Sequence, residues 1–339
     1  MIGVNIVHEL TEEKWRRFVE EHPQGNIFHT PDMFEVYSRV PGYRPELWAA
    51  IKGDVILALL LPLQINLMGG ILRPLTTRSV VHGSILCAPG IEGQDAMFSL
   101  LQAYTQSVKP RPLFTELRNI SDYSELQATL NKCGFVFEGH LNYLINLDQS
   151  DDAIWQGISK SVRKHIRNSQ RKGVEIIDIS DRQQLIAGYE LVKMVYKRIR
   201  VPLASFKLFE SAFEILMPRG MLKVCLARVN NHYISVRLVL TYKGVVYDWY
   251  MGTDRKFSSY YAEELLIWHT LHWGKENNYC LFDFGGAGKP KEEYGPRQFK
   301  AKWGGTLVNY GRNTYVHSPF ALKLSKSGYE LLRRVSQAF

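Results

Sequence analysis

Five cations recur at helical spacing in one stretch of this chain, Trp155–Gly173. At about 100° per residue, Lys160, Arg163, Lys164, Arg167 and Arg171 fall within one arc of about 100°, with Ile154, Trp155, Ile158, Val162 and Ile166 opposite. One side suits a core. The other needs a polyanion or abundant water, and five cations in a row suit a ribose-phosphate chain held with steeply salt-sensitive affinity. An ordinary solvated face is the competing assignment. About 110 residues later, LFDFGGAGKPKEEYGPRQFKAKWGG (281–305) is rich in glycine and cations and carries Asp283, Phe299 and Lys300. On residue type alone, Asp283 caps the turn ahead of Gly285-Gly286, and Lys300 is a surface lysine in a loop at a strand edge.

The elements that must position these residues read as one pattern used twice. In the first half, strand Val4–Val7 leads to a helix capped at Thr11, and a second helix opens at Thr30-Pro31. Strands Glu46–Ile51, Asp54–Gln64 and Ser79–Cys87 follow, with Gly69-Gly70 and Gly83 as turns. Then come helix Gln94–Val108, strand Leu113–Arg118, helix Ser124–Lys132 and strand Phe135–Leu147. After the basic helix the second half gives strand Val174–Ile179 and a helix ending near Arg200. Helix Ser205–Leu216 precedes three hairpin-linked strands, Leu222–Arg228, Tyr233–Thr241 and Val245–Met251. Helix Tyr260–Asn277, strands Cys280–Phe284 and Thr306–Tyr310 and a last helix, Leu322–Val335, complete the chain. Helices alternating with hairpin-linked strands predict mixed α/β sheets, with no coiled-coil heptads.

At 339 residues the chain suits two domains, expected at 1–147 and 148–317, with 318–339 packing back on the first. Lys plus Arg (42) exceeds Asp plus Glu (33), which favours anionic partners without requiring them. Cys87, Cys133, Cys225 and Cys280 lie far apart among apolar residues, as reduced buried thiols do. The longest apolar run, Val55–Leu63, is broken by Pro62 and is half a bilayer span, so the expectation is a cytoplasmic protein without a transmembrane segment.

These residues bring the chain to a family. Ser161–Gly173 (SVRKHIRNSQRKG), Tyr250-Met-Gly252, Asp283-Phe-Gly-Gly286, Phe299-Lys300 with Gly304-Gly305, and Gly25–Thr30 (GNIFHT) resemble the Fem family of tRNA-dependent peptidyltransferases. The likeness spans nearly the whole chain. It implies two tandem GNAT-like units, the second carrying the acyl-transfer site, and amide formation between an activated acyl group and an amine of a cell-envelope precursor. By the same resemblance, Lys300 beside Phe299 stabilises charge at the reacting end of the acyl-tRNA. A lysine can do so in a water-excluded site because its ammonium is a compact charge. Asp283 would orient the amine or a water. No tightly bound cofactor is implied; aminoacyl-tRNA or acyl-CoA serves as co-substrate.

The donor would meet Lys160, Arg163, Lys164, Arg167 and Arg171, with Arg255 and Ser259 beyond the strand ending near Met251. Acetyl-CoA users of the superfamily carry [QR]-x-x-G-x-[GA] there, whereas Arg255–Tyr260 reads RKFSSY, with Ser258 and Tyr260 replacing both small residues. That favours aminoacyl-tRNA and its acceptor end over coenzyme A, although a helix starting near Ser259 would still offer free amides. For an anionic or lipid-linked acceptor, the resemblance offers Arg39, Arg200 and Tyr250, and it accommodates peripheral membrane association. The departures are that Arg39 is the first cation after Phe34 and that Arg200 does not directly precede Pro202. A non-catalytic RNA- or anion-binding protein on the same scaffold is the alternative of a different class. Asp283-Phe-Gly285 lacks the partner motifs of a kinase metal loop. His269 and His272, three apart on a helix in an aromatic setting with Trp268 and Trp273, read as packing rather than metal ligands.

Overall fold

The computed structural model describes residues 3–66 and 76–325. The Gly69-Gly70 turn and most of the last expected helix lie outside those residues. Met1–Gly139 with Tyr310–Phe339 form one compact unit and His140–Asn309 the other.

The first unit runs β1 (Asn5–Val7), α1 (Glu12–Glu21), α2 (Pro31–Ser38), β2 (Tyr43–Pro45), β3 (Trp48–Lys52), β4 (Val55–Leu60), β5 (Leu63–Asn66), β6 (Thr77–His82) and β7 (Leu86–Cys87). It continues through α3 (Ile91–Ser107), β8 (Phe114–Arg118), α4 (Gln127–Lys132) and β9 (Val136–Glu138). The second unit holds β10 (Leu141–Asn146), α5 (Asp151–Gly157), α6 (Lys160–Arg171), β11 (Glu175–Asp178), α7 (Arg182–Ile199), α8 (Phe206–Leu216), β12 (Leu222–Val229) and β13 (His232–Tyr242). It ends with β14 (Val245–Thr253), α9 (Ala262–Glu276), β15 (Leu281–Gly286), α10 (Gly295–Lys300) and β16 (Thr306–Asn309), after which β17 (Arg312–Val316) rejoins the first unit.

Two sheets share the first unit, in orders β1-β3-β4-β7 and β2-β5-β6-β8-β17-β9. Three strands expected to be continuous change sheet instead. The run Asp54–Gln64 divides at Leu61-Pro62 into β4 and β5. The run Ser79–Cys87 divides at Gly83 and Ser84, both left-handed, into β6 and β7. The run Phe135–Leu147 divides between units, β9 staying in the first while β10 enters the second. Helix α2 begins as its residues dictate, the Thr30 hydroxyl accepting the Met33 N–H at 3.2 Å with Pro31 in the first turn. Cys280 is exposed, unlike the other three thiols.

The second unit is one seven-stranded sheet, β11-β12-β13-β14-β15-β10-β16, antiparallel except where β14 meets β15. Its core joins Ile145, Leu147, Ile154, Val162, Ile166, Leu266 and Phe282. Burying such aliphatic and aromatic side chains contributes on the order of 2 kcal/mol each before chain entropy is counted. The basic segment is two helices, not one. The chain turns at Ile158, and Ser159 opens α6, which buries Val162 and Ile166. Gly252 is required where β14 packs on α7, because a Cβ there would lie 2.4 Å from the Leu191 carbonyl carbon.

Candidate active site

Strands β14 and β15 begin side by side and then diverge. Their parallel pairing runs from Val245↔Leu281 to Tyr247↔Asp283, yet β14 continues to Thr253 and β15 to Gly286. A bulge on each strand marks the split: Trp249 is the extra residue against Leu238 and Val239 of β13, and β15 slips its register on β10 between Asn142 and Leu144. Bulges bend strands and re-aim side chains, which is what opens a cleft in an otherwise closed sheet.

Charged groups gather at this split. Lys300, the last residue of α10, donates through Nζ to the Phe284 carbonyl and, at 3.0 Å, to that of Gly286, and lies 5.2 Å over the Phe284 ring. Burial holds its pKa below the ordinary lysine value, against the pull of Asp248 and Asp283. Asp283 is 4% exposed, and its Oδ1 accepts the Gly285 N–H at 2.8 Å and the Asn142 amide at 3.3 Å. Gly285 turns its amide back through a φ of +73°. Burial pushes the Asp283 carboxyl up to about 6, with the Gly285 N–H and Lys300 opposing. Beside them Arg237, 1% exposed, pairs with Asp248 at 2.6 Å. Glu263, in the first turn of α9, is pushed up to about 7, chiefly by burial, with Arg237 opposing and Glu264 and Asp248 adding to the rise.

An ammonium with two of its three donors used by main-chain carbonyls retains one for a developing oxyanion. Carboxyls near 6 and 7 hold a proton loosely at neutral pH, as acid–base work requires. Sequence reading missed Arg237, Asp248 and Glu263. The available signal was a single arginine amid the apolar strand ISVRLVL (234–240).

The other expected residues fall in several places. Phe299 is half-buried against the core, its ring 6.5 Å from Phe284 and 6.2 Å from Trp303. Lys160, Lys164, Arg167 and Arg171 are exposed along α6 and Arg163 half-buried; Arg163 donates to Gln156, and Arg167 lies 5.4 Å over the Trp155 ring. Arg255 and Ser259 are exposed in a 3-10 turn, Arg255–Tyr260, and the Ser259 carbonyl is capped by Lys172 at 2.7 Å. The helix expected near Ser259 begins at Ala262, and its first turn carries Glu263 and Glu264. Tyr250 packs on Phe209 at 4.7 Å and Tyr196 at 5.9 Å. Arg200 is an exposed left-handed C-cap of α7, and Arg39, in the first unit, is paired with Glu35.

A raised carboxylate pKa makes the folded state bind more protons than the unfolded chain between about 4.5 and 7, so stability falls as pH rises through that window. Replacing Glu263 by Gln is therefore expected to raise thermal stability at pH 8 and change it little at pH 4, with a difference bounded at about 3 kcal/mol. Equal effects at both pH values would show that Glu263 is not held protonated.

His269 has carboxylate and thiol neighbours that its sequence surroundings did not reveal. Ligand atoms of His269, Asp178 and Cys225 lie within 4.8 Å of one another. The Cys225 thiol donates to Asp178 at 3.1 Å, and the Lys223 ammonium, at 2.7 Å from the same carboxylate, would repel a divalent cation. His272 lies 3.2 Å from Glu276 and 3.5 Å from Asp151.

Residues 159–300, which include α6, the split and Lys300, match the family described as an acetyltransferase (GNAT) domain. FemX has 15% sequence identity and a TM-score of 0.71 over 96% of this chain and 99% of its own. The fold is the tandem GNAT fold. A tandem GNAT protein from the clavulanic acid biosynthesis pathway shares it at 12% identity and a TM-score of 0.61, covering 93% of this chain and 99% of that one. L-PGS from Bacillus licheniformis does so at 14% and 0.58, covering 93% and 96%. No curated protein matches the chain. On this tandem GNAT scaffold acyl transfer is the supported general chemistry, and the matched segment coincides with the unit that carries the split. Among the described residues no helix is long and apolar enough to cross a membrane.

Proposed function

We propose that this protein is a Fem-like acyltransferase that moves an aminoacyl group from tRNA to an amine of a cell-envelope precursor or a related anionic or lipid-linked acceptor. The observation that carries the reading is Lys300, drawn into the split between β14 and β15 by the Phe284 and Gly286 carbonyls. The neutral amine attacks the ester carbonyl, the C–N bond forms, and negative charge grows on the carbonyl oxygen. Lys300 stabilises that oxygen, with Phe299 packed beside it; the ester C–O bond then breaks and the ribose oxygen takes the proton the amine loses. Asp283 orients the amine or the lysine rather than acting as an assigned base.

The donor is argued from charge. A pyrophosphate at the N-terminus of α9 would meet Glu263 and Glu264 there, against the usual preference of helix N-termini for anions. The cations of α6, whose following residue Lys172 donates to the Ser259 carbonyl at 2.7 Å in the turn that also carries Arg255, suit tRNA instead. If all five cations of α6 contact phosphates, the logarithm of tRNA affinity falls against the logarithm of salt with a slope of roughly −3.5. Reversing Lys160, Lys164 and Arg167 to Glu should flatten that slope and weaken binding at least tenfold, measured by fluorescence anisotropy. An unchanged slope rules these residues out as the contact surface.

Arg200 and Tyr250 are offered as acceptor contacts. A tRNA donor places the reaction in the cytoplasm, with peripheral membrane association if the acceptor is lipid-linked. The test is turnover: purified protein with charged tRNA, or with acetyl-CoA, and a panel of amines. Release of the amino acid into an amide supports the reading, and acetyl transfer supports the coenzyme A variant. Salt-sensitive RNA binding with no turnover points to a non-catalytic RNA-binding protein.

A further inference from the structure

Two cations of one short helix divide the main chain of a single loop between them. Helix α10 has six residues, too few to hold its shape alone, so its contacts decide where Lys300 sits. One contact is with the core, where Phe299 packs near the rings of Phe284 and Trp303. The other is with the chain that leaves β15. Arg297 and Lys300, three residues apart and therefore neighbours on the helix surface, both reach it.

The Arg297 guanidinium donates to three carbonyls of that chain: Nε to Ala287 at 2.8 Å, Nη1 to Pro290 at 3.2 Å, and Nη2 to Lys289. Lys300 takes those of Phe284 and Gly286. The consecutive carbonyls of Gly286 and Ala287 are thus held by different cations of one helix. Only the two dihedrals of Ala287 separate those peptide planes. Ala287 is itself fixed. It is fully buried and donates its N–H to the Leu141 carbonyl at 2.6 Å, while the Leu141 N–H donates to the Gly288 carbonyl at 2.9 Å. Strand β10 supplies the frame, and Arg297 ties α10 to it.

Beyond Gly288 the chain is exposed from Lys289 to Pro296 and folds back on itself. The Tyr294 ring comes so near Gly288 that a Cβ there would lie 2.9 Å from it. Among the described residues the partners of Arg297 are all main-chain carbonyls, the mark of a group that fixes backbone rather than one that balances a carboxylate. A rigid fork with five donors suits three carbonyls spread in a fan, which a single ammonium does not span.

We propose that Arg297 is a positioning residue for acyl transfer: by pinning the Ala287, Lys289 and Pro290 carbonyls it sets α10 against β15 and keeps the free donor of Lys300 directed into the split. Its effect on rate rests on the acyl-transfer reading; its effect on the place of Lys300 does not.

The experiment uses the full chain. Arg297→Met is expected to lower kcat for amide formation about ten- to a hundredfold, as a displacement of about 1 Å at the reacting end does, with KM for charged tRNA changed less than about twofold. Arg297→Lys keeps the charge but reaches fewer carbonyls, so its kcat should fall between that of Arg297→Met and the wild type. Because Arg297 acts through Lys300, adding Arg297→Met to Lys300→Met should cost less than about twofold more. An equal loss in both backgrounds, a loss in KM alone, or a wild-type kcat for Arg297→Met overturns the proposal.

A second readout does not depend on turnover. Lys300 titrates below the ordinary lysine value chiefly because it is buried. In Arg297→Lys, where the charge is conserved, a loosened α10 admits water, and the Lys300 titration should move back up toward that value. NMR follows it, with the resonance assigned by its loss in Lys300→Met. This variant also carries the test should Arg297→Met fail to fold. A titration that stays in place overturns the positioning role, with or without turnover. A titration that moves in a protein with no turnover keeps the positioning of Lys300 and removes the acyl-transfer reading.

Discussion

Replacing Lys300 by Met is expected to lower kcat/KM for amide formation by about 10²–10³-fold while tRNA affinity stays within about twofold. A single preorganised donor to a developing oxyanion is worth about that much. Donor binding is argued to rest on α6, whereas Lys300 acts only once charge develops at the carbonyl. The loss should therefore fall on kcat rather than on KM. Methionine keeps the length and the apolar contacts of the side chain but leaves the Phe284 and Gly286 carbonyls without their donor, at a stability cost of about 1–3 kcal/mol. Melting curves at the assay temperature separate that loss from the catalytic one. Lys300→Arg is a second probe: it keeps a charge but spreads it over a larger planar group, so partial activity is expected. Turnover by Lys300→Met at the wild-type rate would remove Lys300 from the chemistry and the proposed mechanism with it.

Much of the fold was legible in the sequence because local chemistry and final structure agree. Thr30-Pro31 starts a helix by its own capping, and β12 to β14 follow from alternating or apolar runs set between Asn230-Asn231 and Lys243-Gly244 turns. Changes of sheet were not legible. The run VILALLLPL (55–63) is apolar throughout because β4 after Val55 and the start of β5 are buried, so periodicity carries no mark of where the chain leaves one sheet for another. The break inside the basic segment was hidden similarly. Ile154, Ile158, Val162 and Ile166 keep a four-residue spacing and are all buried, although the chain turns at Ile158 and starts a new helix.

The candidate site divides along the same line. Lys300 and Asp283 could be named from local motifs. Arg237, Asp248 and Glu263 could not be joined to them, because what brings them together is pairing across β13, β14 and β15 with two bulges. Asp178 and Cys225 sit opposite each other for the same long-range reason, and His269 reaches them from α9. Spacing rules reach a few residues along the chain, and none of these sets falls within that range.

Arg237 and Asp248 give the largest expected effect on stability. Their side chains are 1% and 10% exposed, so each charge depends on the other, with the Phe284 ring 5.7 Å from the guanidinium adding a weaker contact. Arg237→Leu leaves Asp248 as a buried uncompensated carboxylate beside Asp283 and Glu263, whose own pKa values already run high. The expected loss is about 3–5 kcal/mol. For a unit of this size that corresponds to a fall of about 10 °C or more in Tm. Asp248→Leu should be nearly as damaging, because a guanidinium is then stranded next to Lys300. The double variant, Arg237→Leu with Asp248→Leu, should recover most of the loss, since an apolar pair of similar volume replaces a buried ion pair at little cost. The Lys300 pKa gives the cycle a functional readout. With Asp248 gone, one of the two negative charges that favour the protonated lysine disappears, and with Arg237 gone an opposing positive charge goes too. The double variant should therefore hold the lysine pKa near its wild-type position while Asp248→Leu alone lowers it further, moving the upper limb of the pH–rate profile to lower pH. Additive losses in the double variant, with no change in that limb, would mean that the pair neither depends on itself for burial nor acts on Lys300.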